Sequence, residues 1–162
     1  MKTIEPDYDA IFSTDIATIG LQFAGSMLTN IVYLDKAANK APTNKQVAAV
    51  KNKIEKYLAP KSKIKSIKVE MLLQVTPFQE KVLQQLQRIP YGETSTYGEI
   101  AKILKTSPRA VGNACRNNPL PIVIPCHRVL AANGIGGYDG AKAGKLLDIK
   151  RQLLQLEGSY SG

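Results

Sequence analysis

One histidine, two cysteines and no tryptophan occur in 162 residues. Two cysteines cannot build a disulfide framework. Together with the single histidine they supply three soft ligands, so a structural zinc site of four Cys or His is impossible. A catalytic zinc held by two or three histidines is excluded as well. No apolar run approaches the ~20 residues of a membrane span. The opening residues, Met1-Lys2-Thr3-Ile4-Glu5-Pro6-Asp7, hold no apolar signal core. The expectation is a soluble protein of a reducing interior, without membrane association. Acidic groups are also short, with Asp+Glu 13 against Lys+Arg 22 and a net charge of +9. That excess favours a polyanionic partner, most commonly nucleic acid, although a merely basic surface gives the same number.

The excess is not a tail. Residues 1–75 carry a balance of +4 and residues 76–162 a balance of +5. The kind of base differs between the halves. Arg109, Arg116, Arg128 and Arg151 all lie after residue 100, while the first half uses only lysine. Arginine's flat fork suits phosphate contact and stacking. The lysines of Lys61–Lys68 read as an exposed connector.

Short apolar runs at Ile11–Thr14, Ile19–Phe23 and Ile31–Leu34 predict three strands. Thr43-Asn44-Lys45-Gln46 opens a helix with Val47, Val50, Ile54, Tyr57 and Leu58 on one face, and Pro60 ends it. A further strand is expected over Ile67–Leu73. The pattern then changes to helices. Thr76-Pro77 starts one whose apolar face is Phe78, Val82, Leu83, Leu86 and Ile89. Ser95 or Thr96 caps a second, and Ser107-Pro108 opens a third that runs to about Asn117. The sequence therefore predicts a small α/β domain over residues 1–75 and a helical helix-turn-helix domain over 76–162. The third helix is small-sided at Ala110, Gly112, Ala114 and Cys115, with Arg109, Asn113 and Arg116 as its polar groups. Small residues let a backbone approach a groove closely, and arginine can reach phosphates or bases.

Pro119-Leu120-Pro121-Ile122-Val123-Ile124-Pro125 reads as a rigid extended segment delivering Cys126-His127-Arg128-Val129. A glycine-rich loop follows from Asn133 to Gly140, and a last helix covers about Lys142–Glu157. The single histidine thus sits beside one of the two cysteines. A thiol near imidazole is the ordinary arrangement of a reactive thiolate, and Arg128 is expected to add positive charge that lowers the thiol pKa. A buried apolar cysteine beside a satisfied core histidine is the plainer alternative. Adjacent side chains rarely face each other, so a bridging water would ease proton transfer.

Ile124-Pro125-Cys126-His127-Arg128-Val129 is preceded by Tyr91-Gly92-Glu93-Thr94-Ser95-Thr96-Tyr97, Arg109-Ala110-Val111-Gly112 and Asn117-Asn118-Pro119. The ensemble resembles the O6-alkylguanine-DNA alkyltransferases over Thr76 to about Gly158, roughly half of the chain. The resemblance implies an RNase H-like α/β N-terminal domain and a winged helix-turn-helix C-terminal domain. It implies a catalytic set of Cys126 as alkyl acceptor, His127 activating it through water and Glu157 orienting His127, with Asn118 steadying the turn before them. Arg109 fills the place of the flipped nucleotide, and Tyr97 helps turn it. Ala110, Gly112, Asn113, Ala114 and Arg116 belong to the helix in the minor groove. Val129, Tyr138 and Asp139 form the alkylguanine pocket, chiefly through backbone groups. Many relatives have Gly or Ser in place of Asp139, so pocket charge differs here. No cofactor or metal is implied. The expected partner is double-stranded DNA containing O6-alkylguanine, met by a monomer in the cytoplasm or, in a eukaryote, the nucleus. The competing readings are a non-catalytic alkyltransferase-like damage binder, which lacks the acceptor cysteine, and a cysteine hydrolase, for which no acyl site is visible. Tyr91 reads as packing, and Cys115 as a small groove-side or packing residue.

Overall fold

The computed structural model describes residues 7–62, 64–138 and 144–160. Chain packing divides the protein into two compact units, Met1–Leu72 and Leu73–Gly162. In the first, β1 (Ala10–Ser13), β2 (Thr18–Ala24) and β3 (Met27–Leu34) form an antiparallel sheet in the order β1-β2-β3. Ala10 pairs with Leu21 and Thr18 with Leu34, and the register shifts between Gln22 and Phe23. Alternation buries Ala10 and Phe12 from β1, with Ile19 and Leu21 from β2 and Leu28 and Ile31 from β3. Helix α1 (Lys45–Leu58) contributes Val47, Val50, Ile54, Tyr57 and Leu58 to this unit's core. Its N-cap is Asn44, whose side chain accepts from the Val47 N–H at 3.0 Å.

The strand expected over Ile67–Leu73 is not formed. This segment makes a single parallel bridge, Leu28 with Met71, through Leu28 N–H to Glu70 O and Leu72 N–H to Leu28 O. Its alternation is intact, with Ile67, Val69, Met71 and Leu73 half-buried and Lys68, Glu70 and Leu72 exposed, but none of these residues is fully buried.

The second unit is built on helices. Thr76 caps α2 (Pro77–Leu86) in a reciprocal box with Gln79, and Pro77 occupies the first turn where its missing N–H costs nothing. Thr96 caps α3 (Tyr97–Leu104), and Ser107 caps α4 (Pro108–Arg116). Lys105, with φ of 57°, makes the left-handed step between them. A two-stranded parallel pair, β4 (Ser95–Thr96) with β5 (Val129–Leu130), went unseen in the sequence because each strand is two residues long. Helix α5 (Lys145–Leu156) buries Leu147, Ile149, Lys150, Leu153 and Leu154. Among the described residues no helix is long and apolar enough to cross a membrane.

Candidate active site

The chain reaches Cys126 through a closed turn, which corrects the extended segment expected there. Pro119, Pro121 and Pro125 remove three ladder donors, so this stretch cannot pair as a strand. Its remaining groups bond locally. Ile124 N–H donates to Leu120 O at 2.9 Å, and Ile122 takes a positive φ of 76°. Asn118, almost fully buried, spans the turn: its Nδ2 donates to Ile124 O at 2.9 Å and its Oδ1 accepts from Leu120 N–H at 3.0 Å. Cys126 then opens a 3-10 turn, Cys126–Arg128, that packs on α2 and α5.

His127 is fully buried, and its Nε2 lies 2.8 Å from Glu157 Oε2. Glu157, just past α5, also accepts from Arg128 Nε at 2.8 Å and Nη2 at 3.1 Å, while Arg128 Nη1 donates to Ile89 O at 2.7 Å. The carboxylate is therefore held by a bidentate guanidinium in a site from which water is largely excluded. The Arg128 fork is thus engaged on Glu157. Burial lowers the His127 pKa, opposed by the Glu157 contact, so the ring is neutral near pH 7. With a carboxylate at Nε2, the proton sits there and Nδ1 keeps its lone pair. That Nδ1 is buried and has no hydrogen-bond partner among the described residues. Tyr91 donates to Leu156 O at 3.2 Å and lies under the Arg128 guanidinium, 5.7 Å from its ring centroid, a packing role.

Lys150, which sequence reading passed over as one more lysine of a helix, is completely buried. Its Nζ donates to Val129 O at 2.7 Å, Ile135 O at 2.6 Å and Gly137 O at 2.9 Å. Desolvation lowers its pKa to about 8, although the two cysteines pull it upward. The available signal was its position: in the last helix Lys150 falls on the same face as Leu147 and Leu154. Tyr97 closes the other side. Its hydroxyl is 3.4 Å from Gly137 O, and its ring would stand 3.0 Å from a Cβ at Gly136, whose φ is 77°. Both the backbone angle and this contact require glycine there. Burial pushes the Tyr97 hydroxyl and the Cys115 thiol well above their ordinary pKa values.

Helix α4 separates two faces. Val111, Ala114 and Cys115 are buried, whereas Arg109, Asn113 and Arg116 are exposed and Ala110 and Gly112 are half-buried. Ala114 and Cys115 thus belong to the core and not to a groove-facing surface, because they fall with Val111 on the inner stripe. A Cβ at Gly112 would meet nothing nearer than the Tyr97 ring at 3.9 Å. The protein's own packing therefore does not require glycine at this position. Of the expected pocket residues, Val129 and Tyr138 have buried side chains. Asp139 lies outside the described residues. The structure joins His127, Arg128 and Glu157 by hydrogen bonds, sets Cys126 beside them in the chain with Asn118 bracing the turn before it, and leaves Arg109, Asn113 and Arg116 on the open face of α4.

The family described as 6-O-methylguanine DNA methyltransferase, DNA binding domain, matches residues 77–159, just over half of the chain. The chain belongs to this family. In this methyltransferase family it is similar to the methylated-DNA–protein-cysteine methyltransferase of Archaeoglobus fulgidus, 46% identical over 97 residues, covering 58% of this chain and 65% of that relative. The chain spans between half and two thirds of the length of the curated relatives it matches first. Its fold is similar to a crystal structure of Mycobacterium tuberculosis OGT in complex with DNA, with a TM-score of 0.75 and 35% identity, covering 92% of this chain and 91% of that one. A crystal structure of Mycobacterium tuberculosis O6-methylguanine methyltransferase gives a TM-score of 0.77 at 33% identity, covering 94% and 93%. The mixed α/β fold is therefore that of the family's solved members.

Proposed function

We propose that this chain is a direct-reversal DNA repair protein that moves an alkyl group from O6 of a guanine in double-stranded DNA to Cys126, once per molecule. The observation that carries this reading is the His127 ring. Its Nε2 is fixed by Glu157, and its buried Nδ1 is available as an acceptor one residue from the Cys126 thiol. A water between them takes the Cys126 proton toward Nδ1, and Glu157 steadies the imidazolium that results. The thiolate attacks the alkyl carbon, the new S–C bond forms as the C–O6 bond breaks, and the electron pair left on the guanine takes up one proton, which balances the one removed from Cys126 to His127. A thioether is not reversed by any group in the site, so the chain turns over once.

Supporting the DNA side are the exposed Arg109, Asn113 and Arg116 on α4 and a Gly112 that internal packing does not require. A stacked O6 atom is out of reach, so the nucleotide is flipped, Arg109 takes its place and Tyr97 guides it. Val129, Tyr138 and Asp139 line the pocket. Within this reading residues 1–75 are an RNase H-like domain, residues 76–162 a winged helix-turn-helix domain, and the protein acts as a monomer in the compartment that holds the DNA. A non-catalytic damage binder is not favoured, because Cys126 is present and follows the turn beside the His127–Glu157 pair. The test is a titration of O6-methylguanine duplex with the full chain. Repair should stop at one alkyl group per protein molecule; continued turnover or no transfer contradicts the proposal.

A further inference from the structure

We propose that the outer face of α1, with the segment 64–68 beside it, is a second surface for DNA, one that takes the phosphate backbone of a duplex without reading its sequence. It lies in the first unit and uses no residue of the alkyl-transfer site. Residues 45–68 hold eight lysines against one acid, Glu55, a balance of +7. The rest of the chain holds 14 basic and 12 acidic groups, a balance of +2. Most of the net charge of +9 therefore sits on this one stretch. Like charges so close together repel one another, and a bound polyanion relieves the repulsion.

On α1, Ala49, Asn52, Lys53 and Lys56 recur at helical spacing as one exposed stripe, turned away from the buried Val47, Val50 and Ile54. Lys53 Nζ donates to Lys68 O at 2.7 Å and joins this stripe to the segment 64–68. Between the two walls lies a hollow of about 480 Å³, with Ile64, Ser66, Ile67 and Lys68 on the far side. Three of its lining residues are lysines and none is acidic. Glu55 lies off the stripe and pairs with Lys51 at 3.3 Å. The lining also discriminates among anions. It holds no arginine, so it has no flat fork for a single phosphate or carboxylate. It holds no Phe, Tyr or Trp, so it has no platform for the unstacked bases of a single strand. Its two isoleucines are half-buried in the hollow, and the α1 stripe offers only Ala49 as an apolar group, so neither wall can enter a bilayer. What remains is flexible point charges with Asn52 and Ser66 between them, which suits the repeated phosphates of a duplex. The choice of DNA over another polyanion rests on the function proposed above.

The test measures binding of the full chain to an undamaged, labelled duplex by fluorescence anisotropy between about 50 and 200 mM salt. Wild type is compared with the triple variant Lys56→Gln, Lys65→Gln, Lys68→Gln. Lys53 is kept because its ammonium joins the two walls. Each lost phosphate contact lowers the slope of log affinity against log salt by ~0.9, so the triple variant should lower it by about 2 to 3. Across that fourfold range of salt, a fall of ~2.7 changes the affinity ratio of the two proteins by ~40-fold. Each single variant should lower the slope by ~0.9, so the result does not depend on the triple variant folding. Lys81→Gln, an exposed lysine of α2, should leave the slope unchanged. An unmoved slope in the lysine variants, or an equal fall in Lys81→Gln, overturns the proposal. Lysine-dependent binding of polyglutamate with the duplex slope unmoved overturns it as well, and makes an acidic protein the occupant. The slope needs no chemistry. If wild type transfers no alkyl group and the slope still falls, the repair function is lost and the DNA surface stands. If transfer is intact and the slope is unmoved, the surface is lost and the repair function stands.

Discussion

At the scale of single residues, His127, Arg128 and Glu157 form a buried set in which each group depends on the others. Glu157→Gln leaves the Arg128 guanidinium buried against a neutral amide. A loss of about 3–5 kcal/mol is expected, the range for removing one partner of a buried pair, and a denaturant midpoint will measure it. Arg128→Met with Glu157→Gln should recover part of that loss, since the stranded charge is gone. The pH dependence follows from His127. Its folded pKa lies below the ordinary 6.5 because burial disfavours the imidazolium. The unfolded chain therefore binds this proton first, and the stability contributed by His127 is present above pH 6.5 and is lost as the pH falls below it. Thermal melts from pH 7 to pH 5 should show this slope, and His127→Asn should reduce it. Cys126, His127 and Glu157 were legible in the sequence through motif resemblance. The engagement of Arg128 was not, because nothing in Cys-His-Arg-Val says that the guanidinium turns toward a carboxylate 29 residues away.

At the scale of elements, α4 separates what the protein needs for folding from what the proposed function needs. Gly112→Ala meets open space or ordinary contact and should stabilise the helix by ~0.5–1 kcal/mol. If α4 enters a groove, the same change should weaken duplex binding several-fold. Stability and affinity moving in opposite directions, measured by melting and by fluorescence anisotropy, is the expected result. Arg109→Ala should abolish repair of duplex DNA with a smaller loss on the free base. Equal losses on both would contradict its stack-filling role. Helices α1 to α4 were legible because their apolar spacing and caps agree, at Asn44, Thr76, Thr96 and Ser107, and α5, whose N-cap Gly144 makes no side-chain bond, through its apolar spacing alone. The stretch from Pro119 to Pro125 was misread as extended because local prolines forbid a helix but do not reveal a turn closed by the Asn118 side chain. Ala114 was placed with the small groove-facing residues because size alone does not give the angle around a helix, and Cys115 takes the packing role of the two it was given.

For the whole molecule, the proposed function makes the net charge of +9 a source of DNA affinity. Duplex binding should weaken steeply with added salt as phosphate contacts release counterions, and a salt-independent affinity would argue against DNA as partner. The buried Lys150 also leaves a mark on global stability. Its folded pKa, about 8, is below the ordinary 10.5, so the unfolded state holds the proton more tightly. The destabilisation is full below pH 8 and is relieved as the pH rises toward 10.5. Wild type should therefore gain stability relative to Lys150→Met over that window. Scarcity of histidine and cysteine, which first served to exclude metal sites and disulfides, leaves one Cys-His pair for the proposed chemistry. The most direct measurement is peptide mass analysis after full mixing with O6-methylguanine duplex. The account predicts one added methyl group on the peptide holding Cys126 and none on that holding Cys115. An unmodified Cys126, or a methyl group on Cys115, would contradict it.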